Sequence, residues 1–268
     1  MTRKTIFFLT ALSLMASLVS WPAVAEDLKY FEIVREKPDC TDGACFIEYL
    51  FLSSGLSIKK QYYSKDYEKP PVMSIRQAQE PQVQALFAEA SGLFAPGKNL
   101  GNSAREKNNL YLYDGSALFT YGAQEPPSPA FQSLFDDAGA AFSKAAVTPE
   151  FYIHEYYELA SGGMEDFHIF SNGSVIFSIF AKPDYSLVST GPLRAEPEDM
   201  SSLRELAGNA LRSESKRMKR CPKETGLGYG FMEMQINGAF LHTYTCGDGG
   251  DAASALFNRV RLLRRGAR

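Results

Sequence analysis

The chain has 268 residues, a net charge of −3 at pH 7, 45% hydrophobic and 22% charged residues. These are the proportions of a globular protein that can build a buried core without a metal or cofactor, and nothing in them suggests intrinsic disorder. Mild acidity also argues against a nucleic-acid partner, because phosphate binding needs a cationic surface.

Residues 1–25 read as a secretory signal peptide. Arg3 and Lys4 precede an apolar run from Ile6 to Val19, and Ala23-Val24-Ala25 supplies the small-residue cleavage site before Glu26. The run is shorter than the roughly 20 residues a spanning helix requires, and no later stretch is apolar enough to cross a bilayer. Cleavage removes two basic residues and no acidic ones, so the mature part has 243 residues and a net charge of −5. The expected location is the periplasm or the extracellular space.

In an oxidising compartment the four cysteines, Cys40, Cys45, Cys221 and Cys246, are expected to form disulfides. Three pairings are available. The simplest is local, Cys40 with Cys45 and Cys221 with Cys246, contributing about 2 and about 3.5 kcal/mol on a chain-entropy model. The four-residue spacing between Cys40 and Cys45 does not match the two-residue spacing of redox-active dithiols.

Beyond Cys45, Leu50-Phe51-Leu52 leads into a turn at Ser54-Gly55 and a third strand. That strand runs into Lys59-Lys60-Gln61-Tyr62-Tyr63-Ser64-Lys65-Asp66-Tyr67-Glu68-Lys69, where cations and aromatics alternate. Tyr62, Tyr63, Lys65 and Tyr67 are the candidate binding residues, suited to stacking on sugars or gripping an anionic peptide. The plainer reading is a solvated strand end and loop. Val83, Leu86, Phe87 and Ala90 then recur at helical spacing, with Gly92 as a stop. Asp114-Gly115 marks a hairpin, and Pro126, Pro127 and Pro129 introduce a second helix carrying Phe131, Leu134 and Phe135.

The same order recurs after Thr148-Pro149. Asn172-Gly173 separates two strands, and Val175 to Phe180 is apolar on both faces, as expected of a central strand covered on both sides. Pro197-Glu198-Asp199 opens a helix bearing Leu203, Leu206, Ala207 and Ala210. Asn237-Gly238 marks another hairpin, and Asp251 stands where it can cap a last helix with Leu256, Val260 and Leu263. Aligning Leu50 with His168, Glu80 with Glu198, Leu112 with Gln235 and Leu134 with Leu256 keeps every feature in register to within a few residues.

The expected fold class is therefore α+β, built as two tandem divergent repeats over 26–146 and 147–268. Each repeat is an antiparallel sheet of about five strands with two helices, in the order β-β-β-α-β-β-α.

Signals for chemistry are sparse. His154-Glu155 begins like a zinc-protease motif, but Glu158 stands where the second histidine should be, and strand periodicity separates His154 from Glu155. All three histidines, His154, His168 and His242, fall in the second repeat with Glu155, Glu165 and Asp166, so their convergence is the feature to look for. Gly226-Leu227-Gly228-Tyr229-Gly230 lacks dinucleotide-binding spacing, and Gly247-Asp248-Gly249-Gly250-Asp251 offers too few oxygens for calcium. The arginines between Arg259 and Arg268 complement the dipole of the last helix.

With no catalytic motif, metal set or cofactor site assigned, the first functional expectation is a non-catalytic exported protein that binds a protein, peptide or envelope polymer. The alternative is a metal-dependent hydrolase using histidines and carboxylates of the second repeat.

Overall fold

The computed structural model describes residues 28–36, 44–63, 71–94, 108–123, 127–148, 151–158, 163–181, 186–214, 229–246 and 252–265. Residues 1–25, Cys40, Lys65, Tyr67 and Cys221 lie outside these, and only the backbone of Cys246 is described. Cys45 is buried and disulfide-bonded. No described helix is long and apolar enough to cross a membrane.

The first half runs β1 (Tyr30–Glu36), β2 (Phe46–Leu52), β3 (Leu56–Tyr62), β4 (Val72–Gln77), α1 (Glu80–Leu93), β5 (Asn108–Tyr113), β6 (Leu118–Ala123) and α2 (Pro129–Lys144), then a two-residue strand, β7 (Ala146–Val147). The second half runs β8 (Tyr152–Glu158), β9 (Gly163–Phe170), β10 (Ser174–Ala181), β11 (Ser186–Arg194), α3 (Pro197–Glu214), β12 (Tyr229–Ile236), β13 (Ala239–Cys246) and α4 (Ala252–Arg265). One antiparallel sheet is ordered β6-β5-β1-β2-β3-β4-β7 and the other β13-β12-β8-β9-β10-β11. Setting β7 aside, the two orders coincide when counted from β1 and from β8.

The strand count corrects the expectation. Four strands, not three, precede the first helix of each half, because β4 and β11 were not anticipated. Gly191 and Pro192 lie inside β11 and read as strand breakers. They are tolerated because β11 is an edge strand, where a missing N–H leaves no neighbour unpaired.

All four glycine turns occur, but with different geometry. Only Asn237-Gly238 has two positive φ angles, 49° and 81°, as a two-residue type I′ turn needs. At Gly55 and Gly173 a three-residue loop closes through the glycine N–H, which donates to Leu52 and Phe170 respectively. Each of these glycine carbonyls then accepts from the residue two before the next helix, Ala78 N–H to Gly55 and Ala195 N–H to Gly173, both at 2.8 Å.

Strand alternation sends Phe31, Ile33, Tyr49 and Phe51 toward α1 and α2, where they pack on Val83, Leu86, Phe131 and Leu134. Ile153, Phe167, Ile169 and Met232 do the same beneath α3 and α4. The opposite faces of the two sheets meet in a third cluster that joins Tyr30, Leu50, Leu52 and Ile58 to Tyr152, Phe170 and Ile176. The layers are thus helix, sheet, sheet, helix. β10 is covered on both faces, with Val175 in the helix-side cluster and Ile176 between the sheets, although it is second from the edge rather than central.

Candidate metal centre

The second sheet presents a polar row to the first. Register pairs His168 with His154, His154 with Glu233, and Glu233 with His242, so these four residues form one line across β9, β8, β12 and β13. Asp166 projects on the same face two residues before His168. From the first sheet, Glu48 and Lys60 form a facing cross-strand pair on β2 and β3. Hydrogen bonds from Lys60 and Tyr62 cross to the second sheet.

The imidazoles of His154 and His168 stack, with centroids 4.5 Å apart and planes 10° from parallel. Their Nε2 atoms meet one carboxylate oxygen: Asp166 Oδ1 lies 3.0 Å from His154 Nε2 and 3.3 Å from His168 Nε2. The opposite nitrogens are anchored. His168 Nδ1 is 2.7 Å from the Tyr152 hydroxyl, and His154 Nδ1 is 3.1 Å from Glu233 Oε2 and 2.8 Å from Lys60 Nζ. Glu233 also lies 3.3 Å from His242 Nδ1, and its two oxygens accept from the Tyr62 hydroxyl at 3.3 Å. Lys60 Nζ is 2.9 Å from Glu48 and 3.4 Å from Glu233.

Burial sharpens this electrostatics. The Lys60 and Glu233 side chains are fully buried, and those of His154 and His168 nearly so, whereas the Asp166 side chain keeps 26% of its surface exposed. Burial works against the Lys60 charge, but Glu48 and the other partners hold its pKa well above the ordinary lysine value. Glu233 and Asp166 are likewise opposed by burial and nonetheless held below the usual carboxylate range, Glu233 chiefly by Lys60 and Asp166 chiefly by the two imidazoles. Burial and the Lys60 charge press His154 down, yet Asp166 and Glu233 overcome them and hold it at about 9. Burial lowers His168. Glu32 on β1 is raised to about 8 by burial and by the charges of Glu48 and Asp166.

His154, Asp166 and His168 can together hold a metal ion, since one donor atom from each lies within 4.8 Å of the others. In a tetrahedral site with ligands at about 2.0–2.1 Å, donor atoms stand roughly 3.3 Å apart. The two N···O separations here, 3.0 and 3.3 Å, are close to that spacing. Charge points the same way. The carboxylates of Glu48, Glu233 and Asp166 outnumber the cations Lys60 and protonated His154 by one, and a divalent ion replacing the His154 proton would bring the cluster to neutrality.

The sequence readings are sorted accordingly. His154, His168, His242 and Asp166 converge on one face, whereas Glu155 and Glu165 do not join them. Both are buried on the α4 side of the sheet, with Arg261 Nε 3.5 Å from Glu165. Tyr62 is buried against Glu233, while its neighbour Tyr63 is exposed, so these two residues do not form one surface. Glu233, Lys60, Glu48 and Tyr152 were not singled out as site residues. Their visible signal is a charged or hydroxyl-bearing residue at an inward position of an otherwise apolar strand, as in Phe231-Met232-Glu233-Met234. No protein-family model matches this chain, and no curated protein matches it either.

Proposed function

We propose that the chain is an exported metalloprotein, a metal-dependent hydrolase in reaction class, whose ion is held by His154 Nε2, His168 Nε2 and the Asp166 carboxylate. The observation that carries this reading is the meeting of two anchored imidazoles at one carboxylate oxygen. Hydrogen bonds on the far nitrogens fix the ring orientation and raise ligand basicity, the usual support for a metal-binding histidine. Three protein ligands leave a fourth position for water, and the partial exposure of Asp166 puts that position near solvent. A mixed N and O donor set suits zinc and neighbouring divalent ions, and a bound ion supplies a water acidic enough to act as a nucleophile near neutrality.

The test is metal stoichiometry and calorimetric zinc titration on stripped protein. One equivalent is expected, with His168→Ala and Asp166→Ala each weakening binding by about 100-fold or more and His242→Ala retaining it. Less than about a tenth of an equivalent in the wild type would end the proposal.

The second reading remains a non-catalytic binder of a protein, peptide or envelope polymer. Its support is the lack of nucleophile or phosphate motifs in the sequence, together with a depression of mixed character whose lining includes Asn172, Arg194, Met200 and Arg204. Among the described residues, the face where the two sheets meet is packed with side chains. We also infer that the halves are copies of one ancestral unit, from their matching strand orders and their paired Gly55 to Ala78 and Gly173 to Ala195 links. The local disulfide pairing belongs to the same proposal.

A further inference from the structure

Lys60 is the one cation that enters the metal cluster from the opposite sheet among the described residues, and it competes with Glu233 for a single atom. Its Nζ lies 2.8 Å from His154 Nδ1, and Glu233 Oε2 lies 3.1 Å from the same nitrogen. One ring nitrogen cannot serve both partners. To accept from the ammonium, Nδ1 must offer a lone pair; to donate to the carboxylate, it must carry a hydrogen.

The consequence for a metal follows from the ring's two nitrogens. Without a metal, an Nε2 hydrogen, on the neutral ring or the protonated one alike, is accepted by Asp166 Oδ1 at 3.0 Å and leaves no lone pair there for an ion. When a metal occupies Nε2, the hydrogen of the neutral ring must sit on Nδ1. That hydrogen suits Glu233 but confronts the Lys60 ammonium, a donor facing a donor. The buried ammonium would also repel a divalent cation held on the far side of the same ring. Lys60 has other acceptors ready, Glu48 at 2.9 Å and Glu233 at 3.4 Å, so it can yield Nδ1 without losing every partner.

We propose that Lys60 is a positioning residue that opposes the metal: its buried ammonium stands 2.8 Å from the far nitrogen of a ligand ring and repels the cation that Nε2 would hold, and so lets the first sheet set the affinity of the ion site on the second. This rests on the metal-site reading above and adds to it a direction that a structural lysine would not predict. Removing an ordinary structural ion-pair partner loosens a neighbouring site, whereas removing a competitor tightens it.

The experiment is a competitive chelator titration with zinc on the full chain, at fixed pH and salt, comparing wild type with Lys60→Met and Lys60→Arg. Lys60→Met fills the same space without charge and should bind zinc at least about tenfold more tightly, a modest share of the repulsion between buried charges at this range. Lys60→Arg restores a cation and should return affinity to near the wild-type value. A folded Lys60→Met protein with unchanged or weaker affinity overturns the inference while leaving the metal site standing. If Lys60→Met does not fold, Glu48→Gln/Lys60→Met removes both members of the first-sheet pair and is held to the same tenfold tightening. Absence of zinc binding in the wild type and in every variant overturns the metal reading, and this inference with it.

Discussion

Raising the pH of the metal-stripped protein from 6.5 to 9 should weaken its fold by on the order of 3 kcal/mol. His154 supplies most of the effect. Its pKa is about 9 in the fold, against an ordinary value of 6.5, and each unit of difference is worth about 1.4 kcal/mol. Because the folded value is the higher one, the stabilisation is fully present below 6.5 and disappears as pH rises through 9. Glu32 acts with the same sign: raised from 4.5 to about 8, its contribution is full below 4.5 and is lost as pH rises through 8, so only its last part falls in this interval. Asp166 and Glu233 have the opposite sign, since their lowered values favour the fold above about 4 and fail it in stronger acid. His168, lowered by burial, contributes above 6.5 and loses its contribution as pH falls. Stability should therefore peak on the acidic side of neutrality. Urea unfolding followed by circular dichroism, with chelator present, measures the slope at pH 5.5, 6.5, 7.5 and 9. His154→Gln should flatten most of the decline above 6.5. A wild-type stability that stays level or rises between 6.5 and 9 refutes the charge assignment.

The remaining predictions concern packing. Gly55→Ala should cost about 3 kcal/mol or more, because φ is +89° and the added Cβ would stand 2.5 Å from the Ala78 carbonyl oxygen. Gly238→Ala shares a positive φ, +81°, but opens onto free space, so only about 1–2 kcal/mol is expected; equal melting-temperature losses for the two variants would contradict the steric argument. Glu155 is fully buried, neither of its oxygens has a hydrogen-bond partner among the described residues, and burial raises its pKa well above the ordinary carboxyl value. Glu155→Gln should accordingly change stability by less than about 1 kcal/mol at pH 7 and lessen the loss as pH rises from there. A large penalty at pH 7 would mean that the carboxyl is charged in the fold.

Turn chemistry and apolar periodicity made most of the elements legible. Gly55, Gly115, Gly173 and Gly238 all take positive φ at strand junctions, and Val83, Leu86, Phe131 and Leu134 all face the core. The unread elements were those whose local chemistry points elsewhere, above all β11 with Gly191 and Pro192 inside it. A subtler failure affected the site. Matching Asp114-Gly115 to Asn237-Gly238 sets Leu112 over Gln235, but four residues separate the paired Tyr113 and Leu118, whereas two separate Ile236 and Ala239. Counted by strand pairing, Leu112 falls over Met234, since their partners Phe31 and Ile153 occupy the same place in β1 and β8. A one-residue slip reverses the faces of a strand. It assigned Glu233 to the position of Leu110, a core residue beneath the helices, when its true counterpart is Tyr111. The type of the site residues was thus visible, but their convergence was not. Convergence depends on β12 pairing with β8 rather than with β11, its nearest preceding strand in the chain.

Counting by strand pairing also explains why a charged cluster sits at the junction at all. Glu32 and His154 occupy equivalent places in β1 and β8, Glu48 and Asp166 in β2 and β9, and Lys60 and Ser178 in β3 and β10. When two sheets of one topology pack through the same face, equivalent positions are brought toward each other. An inward-facing acid in each then confronts its counterpart unless the other chemistry diverges. Here it has diverged: the second sheet has imidazoles where the first has Glu32 and Leu50, and the first has an ammonium where the second has a hydroxyl. A buried ion pair costs desolvation that only close, multiple partners offset. Lys60 finds partners in both sheets, and Glu233 finds Tyr62 and Lys60 in one and His154 in the other. Lys60 and Glu233 each complete their partners only across the junction, so the packing of the halves and the formation of the cluster are coupled. A metal bound there would stabilise the junction between the sheets as well as its own ligands.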